Sequence, residues 1–188
     1  MKFVLPIIAT VLFAAPAFAQ DKKMDAKDSR TLTHLIQANL AEVEMGKLAQ
    51  DKAQGQEVKD FAKRMVDDHG KMAQELQSLA AQKGVKAPDK PDVKHEAKMK
   101  EMEHSKNFDQ AYVQDMLKDH QKDVKEIQKI AQEAKDPDLK AAAQKATPVL
   151  QQHLKMVQGI AKGASSSQGS SSSKDASTSR GGASAKTK

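Results

Sequence analysis

The chain has 188 residues, a formal net charge of +6, no cysteine, no tryptophan and a single tyrosine. Without cysteine there are no disulfide staples, no thiolate chemistry and no Cys-based metal sites, so packing alone must hold the fold. The charge does not mark a nucleic-acid binder. Lys2 and the C-terminal Lys174, Arg180, Lys186 and Lys188 carry most of the excess, and the nearly neutral middle lacks stacking aromatics.

Residues 1–19 begin with one lysine, continue through an apolar run and end on Ala17-Phe18-Ala19. This is the pattern of a secretory signal peptide, with cleavage expected between Ala19 and Gln20. The run is short for a membrane span, and no second one follows. The mature chain is therefore expected in the periplasm or the medium, without a transmembrane segment. Residues 20–28 read as a flexible lead.

Residues 29–162 are rich in Ala, Leu, Met, Gln, Lys and Glu, and the pattern predicts four long helices. The first spans about 29–53, capped by Asp28 or Ser29, and breaks at Gly55. The second spans about 56–83 and stops at Gly84. The third starts after Asn107, with Gln110 at the capping-box spacing, and runs to about Ala134. The fourth opens at Asp136-Pro137-Asp138, with Asp136 as cap, and ends near Lys162. Each carries one apolar stripe. In the second it is Val58, Ala62, Met65, His69, Met72, Leu76 and Leu79, a heptad seam. These stripes predict an all-α four-helix bundle. Residues 163–188 are Ser/Gly-rich with scattered Lys, have little to bury, and read as a disordered tail with at most weak contact to an acidic envelope surface.

Short turns make the first and last pairs antiparallel. The stretch between helices two and three is roughly 22 residues and reaches up to about 70 Å when extended. A helix of about 27 residues is only ~40 Å long, so that stretch can run the full length of the bundle as a crossover.

Met65-x-x-Asp68-His69 recurs as Met116-x-x-Asp119-His120, placing a histidine twice in an apolar stripe. His153 stands in the stripe of the fourth helix, and Glu42 flanks that of the first. Counted from the helix starts, all four lie near mid-height, so one polar layer is expected there. Buried polar groups need partners, because an unpaired one costs a few kcal/mol. Imidazole–carboxylate bonds are one solution. The other is a metal ion held by Glu42, His69, His120 and His153, with Asp68, Asp109, Tyr112 and Asp119 orienting them. Zinc, copper and iron are the candidates. Met65 and Met116, each one turn before a His, offer soft ligands for copper, though Met at this spacing is also ordinary core. His34 lies off the apolar face and reads as exposed, as does Asp67.

The stretches AEVEMGKLA (41–49), VKDFAKRMVDDH (58–69), FDQAYVQDMLKDH (108–120) and PVLQQHL (148–154) together resemble the family called domain of unknown function 4142. The resemblance implies an exported bacterial protein with a ferritin-like bundle, and it implies no settled activity. The matching positions are Glu42, Asp68, His69, Asp109, Tyr112, His120, Pro148 and His153. The Glu-x-x-His pairs of di-iron bundles are absent at these histidines, which argues against a ferroxidase centre.

The residues support a non-catalytic exported bundle that binds a transition metal, in stress tolerance or metal handling. An alternative is a structural or interaction protein of the cell envelope whose polar layer only fixes helix register. A weaker alternative is a mononuclear metal enzyme, which needs a solvent path to mid-height. No partner is legible.

Overall fold

The computed structural model describes residues 23–171. These form five helices and no strand: α1 (Ala26–Lys52), α2 (Gln56–Gln82), α3 (Val93–Glu103), α4 (Phe108–Glu133) and α5 (Pro137–Ser171). The protein is all-α. The signal peptide, its cleavage site and residues 172–188 of the tail lie outside the described residues. None of the described helices is long and apolar enough to cross a membrane.

Two helix ends differ from expectation. α1 starts at Ala26, not near Ser29, because the Asp25 carboxylate caps it, accepting from the Lys27 and Asp28 N–H groups at 2.9 and 2.8 Å. Residues 23–28 thus contribute a helical turn and a buried Met24 rather than a flexible lead, and residues 20–22 lie outside the described residues. Asp28 is no cap. It turns inward and accepts from the Lys135 and Asp136 N–H groups at 2.8 and 2.7 Å, tying α1 to the α4–α5 turn. At the other end α5 continues past Lys162 to Ser171, into the segment expected to be tail. No proline follows Gly163, so nothing in the sequence blocks the backbone ladder there.

The other caps follow the sequence. The Asn107 side chain accepts from the Gln110 N–H, and Asp136 accepts from Asp138 and Leu139 ahead of Pro137. α2 closes on Gly84, whose φ of +65° suits glycine, with the Val85 N–H donating to the Ala80 carbonyl at 2.8 Å.

Two side-chain ties fix the helix directions. Asp109, in the first turn of α4, accepts from the Gln54 and Gly55 N–H groups, so α4 starts beside the α1–α2 turn. Asp28 ties the start of α1 to the end of α4. α2 and α4 therefore run parallel, and residues 83–107 cross from one end of the molecule to the other. α3 lies in that crossover, against α1 and α4. Its Lys98 pairs with Asp115 and Asp119 of α4, and Lys52 of α1 pairs with Glu103.

The interior divides at mid-height. Toward the α1–α2 turn, Met45, Phe61, Met65, Tyr112, Met116 and Val157 pack with Met102 of α3. Toward the α4–α5 turn, Leu32, Ile36, Leu76, Leu79 and Leu139 form a second cluster. α1 and α2 approach closely at Gly46. A Cβ there would stand 2.9 Å from Val66 Cγ2 and 3.0 Å from the Ala62 carbonyl oxygen, so the missing side chain permits the contact.

A candidate metal centre

His69 on α2, His120 on α4 and His153 on α5 meet between the two apolar clusters. One ring nitrogen from each lies within 4.8 Å of the other two. Ring centroids are 5.7 Å apart for His69–His120, 5.2 Å for His69–His153 and 5.5 Å for His120–His153. All three residues are buried, and Phe61 presents its ring to His120 and His153 at 6.4 Å.

Each ring has one nitrogen engaged, and each partner is an acceptor. His69 Nδ1 is 2.9 Å from Asn39 Oδ1, and the Asn39 amide is oriented by its own bond to the Leu35 carbonyl at 2.7 Å. His120 Nδ1 is 3.0 Å from the Met116 carbonyl oxygen. His153 Nε2 is 3.0 Å from Asp68 Oδ2. Because the partners only accept, the imidazole N–H must sit on the engaged nitrogen. The opposite nitrogens, His69 Nε2, His120 Nε2 and His153 Nδ1, then carry bare lone pairs, and these three have no hydrogen-bond partner.

The rings are neutral at pH 7. Burial pushes the His69 imidazolium well below its ordinary pKa, reinforced by charge repulsion from His120 and His153. Burial brings His120 down to about 4, with His153 adding to the effect. Burial also lowers His153, against the opposing pull of Asp68. At Asp68 burial pushes upward, but the bonds from His153 and Arg64 outweigh it and hold the carboxylate ionised. Arg64 Nε reaches Asp68 Oδ2 at 2.7 Å and its Nη2 reaches Gln152 at 3.2 Å, so a chain of contacts orients His153 from outside.

The other expected residues divide. Asp68 accepts from His153 Nε2, on a different helix from its sequence neighbour His69. Glu42 is buried near mid-height but stands outside the cluster of ligand atoms. It lies one turn beyond Asn39 and faces the α1–α4 seam, where burial, then Asp123 and Asp119, raise its pKa well above the usual range. Asp109 is not at the centre at all. It is 11 residues from His120, roughly 16 Å along the helix, and holds the α1–α2 turn instead. Asp119 turns to Lys98. Tyr112 is two turns from His120. Its ring stacks on Phe108 at 6.0 Å and its buried hydroxyl has no partner. Met65 and Met116 are buried in the apolar cluster beneath the triad. Asn39, a buried polar residue in the apolar stripe of α1, is a further orienting residue, and its place in that stripe is the signal in the sequence. His34 is exposed, as expected, and pairs with Glu126 at 3.5 Å.

A cavity of about 240 Å³ adjoins the triad from the side of the α4–α5 turn. Leu35, Met72, Ile127, Ala143 and Leu150 line its middle, His69 and Asn39 its inner end, and His34, Glu75, Glu126 and Lys145 its outer parts.

The family model for the domain of unknown function DUF4142 matches residues 13–160. The chain belongs to the DUF4142 family. No curated protein matches it. Among solved structures, this DUF4142 chain is similar to CopM in its Cu(I)-bound form, at 16% identity and TM-score 0.62 over 72% of this chain and 96% of that one. CopM in its Cu(II)-bound form matches equally. A DUF305 fragment from Deinococcus radiodurans matches at 11% identity and TM-score 0.65, over 75% of this chain and 99% of that one. At these identities the likeness is one of fold.

Proposed function

We propose that this is an exported ferritin-like four-helix bundle, periplasmic or secreted, that binds one transition-metal ion, copper first, on His69, His120 and His153. Its role is metal handling or tolerance of metal stress. The observation that carries the reading is the lone-pair arrangement. Three buried imidazoles commit their N–H groups outward and leave three unpartnered lone pairs in one small volume. An unsatisfied buried polar atom costs roughly 1–3 kcal/mol. Three together are hard to account for as core packing, and a cation accepting all three lone pairs removes the cost. Neutral imidazole is the usual nitrogen ligand for zinc and copper.

Copper is placed first for two reasons. The chain shares its fold with CopM, which has been solved with Cu(I) and Cu(II). Met65 and Met116 lie one turn below two of the histidines, where a thioether could complete a soft coordination set. Glu42 remains a candidate fourth ligand only if its side chain swings from the α1–α4 seam. When bound, the metal would supply a link between α2, α4 and α5.

Metal analysis of purified, untagged mature protein tests the reading, with equilibrium dialysis against Cu(II), Zn(II) and chelator-buffered Cu(I). The expected result is one ion per chain, lost in His69→Ala and His120→Ala. Equal metal content in wild type and both variants would falsify it.

A second reading, that the layer only fixes helix register, is favoured by the fact that each ring already has one good hydrogen bond. It expects chelators to leave the melting temperature unchanged.

A further inference from the structure

A buried ligand set needs a route for its ion, and the two sides of the α1–α4 seam differ in what they offer. Toward the α1–α2 turn, α3 lies over the seam, and Lys98 places a cation between Asp115 and Asp119. The space there is about 20 Å³, room for roughly one water. Toward the α4–α5 turn, no residue of the crossover 83–107 lines the 240 Å³ cavity. The seam is uncovered on that side.

The walls of this cavity carry ligand-type side chains at successive depths. Outermost is the pair His34 Nε2–Glu126 Oε1 at 3.5 Å, between α1 and α4, with side chains 46% and 34% exposed. Asp123 lies one turn along α4 from Glu126, on the same face. Glu42 follows, buried, with Oε2 lacking any partner. His69 ends the series, its Nε2 lone pair also unpartnered. Both mouths carry cations: at the α1–α4 mouth Lys122 pairs with Glu126 and Lys129 stands beside it, and the opposite mouth lies between α2 and α5. There Lys145 pairs with Glu75 across the cavity and Lys71 stands beside them.

We propose that the metal ion reaches the triad through this cavity from the α1–α4 seam, taken up by Glu126 and His34 and passed along the carboxyl groups of Asp123 and Glu42 to His69. The proposal rests on the metal-binding reading above and assigns work to His34 and Glu126, which lie outside the ligand set. The small residues at the wall, Ala38 and Ala146 among them, keep the passage wide. Its carboxyl groups offer an arriving ion successive oxygen ligands on the way to His69.

The test is stopped-flow mixing of metal-free, full-length mature protein with Cu(II) sulfate, read by quenching of Tyr112, the single tyrosine in a chain without tryptophan. Two variants address the route. Glu126→Gln removes the outer charge, and Ala38→Leu narrows the passage. Each is expected to slow association by about tenfold while leaving the equilibrium dissociation constant within about twofold. Lys98→Met, on the covered side, is expected to leave the rate unchanged. If wild type binds copper and both route variants associate at the wild-type rate, the route is wrong while the metal centre stands. A faster rate in Lys98→Met places the route under α3 and also overturns it. If wild type binds no copper, the metal reading and the route fall together.

Discussion

Asn39 holds His69. Its Oδ1 sits 2.9 Å from His69 Nδ1 while its own amide is spent on the Leu35 carbonyl, so one imidazole tautomer is selected from a neighbouring helix. Removing such an outer partner typically costs 10–100-fold in metal affinity without destroying the site. Asn39→Leu is therefore expected to weaken copper or zinc binding by roughly 10-fold or more, and competition titration against a chelator of known affinity measures it. An affinity equal to wild type would mean that packing alone orients the ring.

The triad also sets an acid limit on the metal-free protein. Burial holds His120 at about 4, and His69 and His153 are lowered in the same sense. In the unfolded chain histidine titrates near 6.5. Below that pH the unfolded state takes up protons that the folded state refuses, so stability falls as pH drops from about 6.5 to about 4 and then levels for His120. That one residue accounts for roughly 3 kcal/mol at the order-of-magnitude level. Above pH 7 both states hold the rings neutral and this contribution is flat. Buried Glu42 and Asp123, whose pKa values are raised, pull the other way over this range. The contribution of His120 is therefore the difference in pH slope between urea melts of metal-free wild type and His120→Gln from pH 4 to 8, with wild type expected to lose more stability on acidification. Bound metal should persist below pH 6.5, where free imidazole already takes up protons, because these lone pairs are protonated only at lower pH.

How much of this was legible in the sequence depends on the range of the interaction. The four long helices, the long crossover and the mid-height convergence of His69, His120 and His153 follow from period and loop length, which are local quantities; the short α3 inside the crossover is a fifth helix that the apolar stripes do not announce. Where a carboxylate points is not local. Asp68 and Asp109 both lie close to the recurring motifs, yet Asp68 faces His153 on α5 while Asp109 faces the Gly55 N–H across the α1–α2 turn. Nothing in the spacing distinguishes them, since the choice is made by which helix is the neighbour. Asn39 was readable in principle as a polar residue in an apolar stripe. The start of α1 is ambiguous in the sequence because Asp25, Asp28 and Ser29 are all good caps, and the tie from Asp28 to Lys135 and Asp136 joins residues 107 and 108 apart.

The role of Asp109 separates scaffold from site. Its carboxylate is 2.7 Å from the Gly55 nitrogen and 3.0 Å from the Gln54 nitrogen. Asp109→Ala leaves two turn N–H groups without this acceptor, and a cost of about 1–3 kcal/mol is expected in denaturant melts. Metal affinity in that variant should match wild type, since the triad is roughly 16 Å away along α4. A selective loss of metal binding would instead return Asp109 to the centre.

Close packing of α1 on α2 sets the height at which Asn39 meets His69, and Gly46 permits it. A methyl group at this position would meet Val66 Cγ2 at 2.9 Å and the Ala62 carbonyl oxygen at 3.0 Å. The side chain can rotate away, but the backbone oxygen cannot move without shifting α2. Gly46→Ala is therefore expected to lower stability by about 1–3 kcal/mol, the usual cost of overpacking, despite the better helix propensity of alanine. Adding Val66→Ala should recover only part of the loss, because the carbonyl contact remains. Full recovery in the double variant, measured by thermal or urea melts, would show that side-chain crowding and not helix separation was the constraint. Metal affinity gives an independent reading. If α1 is pushed outward, Asn39 withdraws from His69, and Gly46→Ala should weaken binding in the same direction as Asn39→Leu.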